Sequence, residues 1–254
     1  MTASPAASPV APSASSAPPR VRFEVPRRRR LYLMRHGSVD YFTAEGRPLP
    51  PHGVALNEAG RAQADAAGAL FAAASVRFDR VLVSGLARTV ETAGRVLRAS
   101  GQALEPQVDA RLEEIRGGRL EDIPRDDVVA AFTGVFAATG DVESHRFLGG
   151  ESVGEMLDRC LPAFEAHLAD PSWSCALWVL HGGINRALIG HALAGTRFFA
   201  GRLEQSPACI NVLDVGADGD VVLRACNLAP TQWLHERERS TTMEKLLAQY
   251  LRIA

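Results

Sequence analysis

Arg35, His36 and Gly37 follow directly on the apolar run LYLM at positions 31–34. An arginine and a histidine are costly to bury, and a glycine loosens the backbone where a strand would end. The trio suits a phosphate: a guanidinium offers forked, charge-assisted bonds to phosphate oxygens, and an imidazole can attack phosphorus. Three other groups stand in comparable places. Arg88 lies in VLVSGLARTVETA, four residues beyond Ser84; Glu114 lies in RLEEIRGG; and His181-Gly182-Gly183 follow ALWVL. A lone arginine near a helix start is usually a surface residue, and a lone histidine a structural one. Only a fold that gathers all four groups makes them a site.

The elements that must gather them are legible in the hydrophobic pattern. Buried strands are predicted at LYLM, DRVLVSG (79–85), PQVDARL (106–112) and SCALWVL (174–180). Helices are predicted over 56–74, 87–100, 126–138, 151–170 (with Pro162 as a kink) and 183–195. CINVLDV and DVVLRAC, joined across Asp218-Gly219, read as a hairpin. Strands alternating with helices predict an α/β fold. It is a three-layer α/β/α sandwich around a mainly parallel central sheet, with an antiparallel edge strand. Ligands of such sheets bind beyond the carboxyl ends of the strands, where the following helices aim free N–H groups outward. All four groups fall there, so they are expected around one pocket. A last helix, 243–251, carries an apolar face; docking on its own domain is expected, with a homodimer contact as the alternative.

The 254 residues, 46% hydrophobic and 22% charged with a net charge of −1, are ample for a buried core. Near-neutral charge argues against a nucleic-acid partner. No apolar run approaches the roughly eighteen residues of a membrane span. Cys160, Cys175, Cys209 and Cys226 lack a C-x-x-C pair, which favours reduced thiols in a cytoplasmic protein. Residues 1–26, rich in Ala, Pro and Ser, read as a disordered leader without a secretory signal. Arg27 to Arg30 read as a solvated basic run into the first strand.

LMRHG, SGLARTVETA, RLEEIRGG, GGES and VLHGG occur in the order expected of the histidine phosphatase superfamily, the phosphoglycerate-mutase-like proteins, which this sequence resembles from residue 31 to about 230. The resemblance implies a phosphatase domain over 27–234, followed by the C-terminal amphipathic helix within 235–254. It implies His36 as the nucleophile, with Arg35, Arg88 and His181 completing the phosphate pocket. Glu114 rather than Glu113 matches the family spacing for the proton donor, two residues after Leu112 and four before Gly118. Glu151 and Ser152 match the segment that frames the site. One departure stands out. The family often follows RHG with polar residues, whereas Val39 and Phe42 here are apolar, leaving Ser38 to supply a phosphate contact.

A small-molecule phosphomonoester is the implied substrate. Guanidinium groups beside His36 are expected to keep it neutral and able to attack. Glu114 must hold a proton until the leaving alkoxide needs it, then act as a base toward water. Gly182 and Gly183 let a helix start approach the phosphate. No cofactor and no metal are expected: two histidines and a carboxylate can bind iron or zinc, but neighbouring arginines would set cations beside a cation. A mutase that returns the phosphoryl group to another hydroxyl is the alternative within the resemblance. A catalytically silent phosphate-binding module is the alternative outside it. The loops 40–55 and 116–150 are expected to cover the pocket mouth and set specificity.

Overall fold

The computed structural model describes residues 24–251 apart from 44, 138, 139 and 237. The leader expected over 1–26 lies outside these as far as residue 23. A six-stranded sheet in the order β3-β2-β4-β1-β5-β6 forms the middle layer. Its strands are β1 (Arg29–Arg35), β2 (Arg80–Val83), β3 (Gln107–Val108), β4 (Cys175–Leu180), β5 (Ile210–Val215) and β6 (Val221–Leu228). The first four run parallel, and β5 pairs antiparallel with both β1 and β6. The expected antiparallel edge is therefore a hairpin whose inner strand is the reversed one.

The helices are α1 (Glu58–Ala73), α2 (Ala87–Ala99), α3 (Val128–Ala137), α4 (Val153–Ala169), α5 (Gly182–Ala194) and α6 (Thr242–Leu251). Alternation along β1 sorts them into two layers. Leu31 and Leu33 face a core with Met156, Leu157 and Phe164 of α4 and Ile184 and Leu188 of α5. Tyr32 and Met34 face Phe71 of α1 and Val96 of α2 on the other side. Local signals set the helix ends. Asn57 Oδ1 accepts from the Gly60 N–H before α1, and Ser152 and Glu155 form a capping box before α4. Gly195, at φ 66°, closes α5 in the left-handed conformation. Helix α4 runs through Pro162 as one element.

One strand falls short of its sequence signal. Residues 106–112 were expected to be extended, but β3 has two residues and 110–112 form a 3-10 turn. Asp109 accounts for it: its carboxylate accepts the Arg111 N–H and turns the chain away from the sheet. The basic run is engaged by the fold rather than merely solvated. Arg28 pairs with Asp220, Arg30 with Asp214 at 2.6 Å, and Arg29 lies 4.2 Å over the Trp173 ring. The four cysteines are free thiols, and burial pushes Cys160 and Cys209 up to about 12.

Candidate active site

Strand register brings the two histidines together. Arg35 pairs with Leu180 across β1 and β4, so His36 and His181 leave adjacent parallel strands side by side. Their rings lie edge to face with centroids 5.3 Å apart. The His36 N–H donates to the Leu180 carbonyl at 3.0 Å, which ties the two strand ends together.

His36 Nδ1 lies 2.7 Å from the Gly37 carbonyl. A carbonyl can only accept, so the proton sits on Nδ1 and the lone pair on Nε2. No described protein group hydrogen-bonds Nε2. Burial, followed by the Arg35 and Arg88 guanidinium groups, holds the His36 pKa well below 6.5. The sequence pointed to the arginines as the cause; loss of solvation at a ring only 2% exposed comes first. Gly37 packs on the backbone of α1: a Cβ there would sit 2.5 Å from the Gly60 carbonyl oxygen. No side chain fits that crossing.

Arg35 and Arg88 are buried beside the histidines, 7% and 2% exposed. Among the described residues, their direct hydrogen-bond partners are neutral. Arg35 donates to the Gln205 carbonyl and, at 2.9 Å, to Thr242 Oγ1; Arg88 donates to the Pro51 carbonyl at 2.6 Å. The Nε of each is a buried donor with no protein acceptor, as is Arg186 Nε. A Cβ on Gly182 would meet Arg186 Nη1 at 3.1 Å and Arg35 Nε at 3.4 Å, so these groups crowd one point at the start of α5. Buried donors without acceptors, at a helix N-terminus, are the makings of an anion site.

His181 is fully buried, and its Nε2 lies 2.8 Å from Ser84 Oγ, which lies 3.1 Å from Thr89 Oγ1. His181 Nδ1 has no protein partner. Burial first, then Arg88, His36 and Arg35, lowers its pKa well below 6.5. Glu114 meets the site from the opposite side. Both of its carboxylate oxygens accept from the Gly183 N–H at 3.1 Å. Arg159 holds this carboxylate's backbone, donating to the carbonyls of Arg111, Glu113 and Glu114, and is itself gripped by Glu151 at 2.7 Å. The GES segment thus frames the site: Ser152 starts α4, and Glu151 anchors the arginine that clamps the Glu114 loop.

Of the residues singled out in the sequence, His36, Arg35, Arg88, Glu114, His181 and Gly182 come together. The Ser38 backbone is tied to the start of α1: its N–H donates to Gln63 Oε1 and its carbonyl accepts from the Asn57 N–H. Those contacts involve its backbone alone. Arg186, Arg159 and Thr242 were missed. The first lies one helical turn beyond Gly182, a spacing the sequence carried; the other two arrive from α4 and α6, which only the tertiary fold brings near.

A cavity of about 430 Å³ opens from this cluster. Its walls include Tyr41, Phe42 and His52 from one predicted specificity loop and Arg116, Phe132 and Phe147 from the other. Among the described residues, no group of three or more His, Cys, Asp or Glu side chains could hold a metal ion.

Known proteins resemble this chain in sequence and in fold. The chain is 32% identical over 167 residues to a glucosyl-3-phosphoglycerate phosphatase of Mycolicibacterium vanbaalenii, covering 63% of this chain and 72% of that one. It is 32% identical over 174 residues to a 2,3-bisphosphoglycerate-dependent phosphoglycerate mutase of Azorhizobium caulinodans, covering 63% and 80%. The solved structure of a mycobacterial glucosyl-3-phosphoglycerate phosphatase superimposes with a TM-score of 0.61 over 79% of this chain and 99% of that one; at 24% identity this is a likeness of fold. The family model described as histidine phosphatase superfamily, branch 1, matches residues 31–228. With that span containing both histidines, Arg35, Arg88 and Glu114, the chain belongs to the histidine phosphatase superfamily.

Proposed function

We propose that the protein is a phosphomonoesterase that works through a phosphohistidine on His36. The observation that carries this is the state of the His36 ring. Nδ1–H is committed to the Gly37 carbonyl at 2.7 Å, burial and two guanidinium groups keep the ring neutral, and Nε2 is left as a nucleophile. Arg35, Arg88 and the start of α5 at Gly182 bind the phosphoryl oxygens, and His181 Nδ1–H adds a donor.

Nε2 attacks phosphorus as the ester oxygen leaves, and Glu114 gives that oxygen its proton. The Glu114 carboxylate then takes a proton from water, whose oxygen attacks the phosphohistidine; inorganic phosphate departs and the Nε2 lone pair returns. Glu114 is suited to both steps because its loop is clamped by Arg159 and its carboxylate rests on the first turn of α5. Ser38, tied to α1, has the least support as a phosphate ligand.

Phosphoglycerate-mutase-type transfer is the second reading, favoured by the mutase names of several relatives. The deciding experiment is phosphate release from a panel of phosphomonoesters, with monophosphoglycerate interconversion followed in parallel. Release abolished by His36→Ala is the expected outcome. Interconversion without net release would install the mutase, and release that survives His36→Ala would remove His36 from the reaction.

A further inference from the structure

The cavity beyond the phosphoryl site differs in character from the site itself. Phe132, Phe136, Phe147 and Leu148 come to its wall from the 116–150 excursion, and Met243 and Leu246 come from α6. Helix α6 lies beyond the family match, which ends at residue 228, yet it is built into the site. Its first residue, Thr242, accepts from Arg35 at 2.9 Å and donates to Glu204 at 3.1 Å. Near its end, Tyr250 stacks on Phe132 with centroids 5.6 Å apart. Helix α6 therefore docks on its own domain, between the phosphate-binding arginine and α3.

Charge on the wall is concentrated at the phosphoryl end. Among the described residues Arg35 and Arg88 donate directly only to neutral groups, and Glu204 reaches Arg35 only through Thr242. Each other arginine lining the cavity faces a carboxylate: Arg116 with Glu113 at 3.5 Å, Arg119 with Glu121 at 2.8 Å, and Arg186 with Glu204 at 3.1 Å. A second carboxylate or phosphate on the substrate would meet paired cations and aromatic rings. Phe42 stands on this wall as well, one of the apolar residues that depart from the family's polar run.

We propose that the substrate is the phosphomonoester of an uncharged, largely apolar alcohol, an aromatic or branched one, with α6 as part of the wall that selects it. This rests on the phosphatase reading and names its leaving group. About 430 Å³ lies within the range that encloses small organic ligands, room for a ring alongside the phosphoryl group. Selection comes from burial of that ring against Phe132, Phe136 and Leu246, while Arg35 and Arg88, which have no directly bonded carboxylate among the described residues, hold the phosphoryl end.

The test compares esters whose alcohols are similarly poor leaving groups, so that reactivity does not imitate recognition. For 2-phenylethyl phosphate against glycerol 3-phosphate, kcat/KM should differ by about 30-fold in favour of the aromatic ester, the magnitude expected for burying one ring. Leu246→Ala and Phe136→Ala should each bring that ratio down several-fold, with circular dichroism checking the fold. Independently of turnover, calorimetry should find 2-phenylethylphosphonate binding more tightly than ethylphosphonate by a similar factor. A kcat/KM ratio at or below one, or equal binding of the two phosphonates, overturns the apolar leaving group. Absence of phosphate release from every ester overturns the phosphatase reading instead, and the phosphonate pair then decides the pocket's preference alone.

Discussion

A carbonyl oxygen 2.7 Å from His36 Nδ1 determines which nitrogen keeps the lone pair that the proposed reaction uses, because the acceptor forces the proton onto its side of the ring. His36→Asn keeps a donor near Gly37 but lacks the distal nitrogen; kcat should fall by about 10⁴-fold, and no acid-labile phosphoprotein should be trapped by rapid quench. The ring must be neutral to react, and burial lowers its pKa well below 6.5. Acid therefore abolishes activity only when pH falls beneath that lowered value. The acid limb of kcat/KM, a free-enzyme profile, should lie below pH 6.5. Ser84 acts at one remove, as a positioning residue. To donate from Nδ1 to a phosphoryl oxygen, neutral His181 must accept at Nε2, and the hydroxyl 2.8 Å away can supply that proton. Ser84→Ala removes the preference for this tautomer. About a tenfold loss in kcat/KM and a matching weakening of inhibition by inorganic phosphate are expected.

Two elements hold the catalytic groups at fixed distance from the sheet. At the entry to α1 two glycines cross, and a Cβ on Gly60 would lie 2.1 Å from the Ser38 carbonyl oxygen. Backbone on both sides cannot yield, so Gly60→Ala should cost about 3 kcal/mol in urea unfolding and shift the His36 loop. At α4 the Glu151–Arg159 pair joins the helix to the Glu114 loop. Burial pushes the Glu151 carboxyl up, but Arg159 and the Arg116 N–H outweigh it and hold the group below its ordinary range. Arg159→Met leaves that carboxylate half-enclosed without its cation and frees three loop carbonyls. Stability should drop by about 3 kcal/mol. The double variant Arg159→Met with Glu151→Leu should regain much of the stability while kcat stays low, because the Glu114 backbone remains unclamped.

At the scale of the molecule, the two buried histidines link stability to pH. In the unfolded chain each imidazole takes a proton near pH 6.5, whereas burial keeps both neutral in the fold well below that. The unfolded state thus binds more protons as pH falls past 6.5. Stability contributed by the neutral rings is complete above that pH and declines below it, until the folded pKa values are reached. Urea midpoints measured at pH 7.5 and 5.5 should be lower at the acid value. A fluoride-like anion that does not bind the site should leave this difference intact, whereas inorganic phosphate should raise the midpoint at both.

Alternating apolar runs and helical spacing were enough to read the layered α/β sandwich, the hairpin at its edge and the strand-end positions of His36 and His181. Those signals are local: periodicity of two or 3.6 residues reports which face is buried, and turn chemistry reports where a strand stops. The short β3 escaped because a side chain, Asp109, outcompeted the extended backbone. The burial that dominates the His36 pKa, the clamp by Arg159, the Ser84 contact and the seat of α6 on Arg35 depend on partners tens to hundreds of residues away. No single-chain pattern encodes such a distance. The chain's own order of residues determined which chemistry was available; only the closure of the sheet and its helices decided which groups share one pocket and which side chains wall the cavity beyond them.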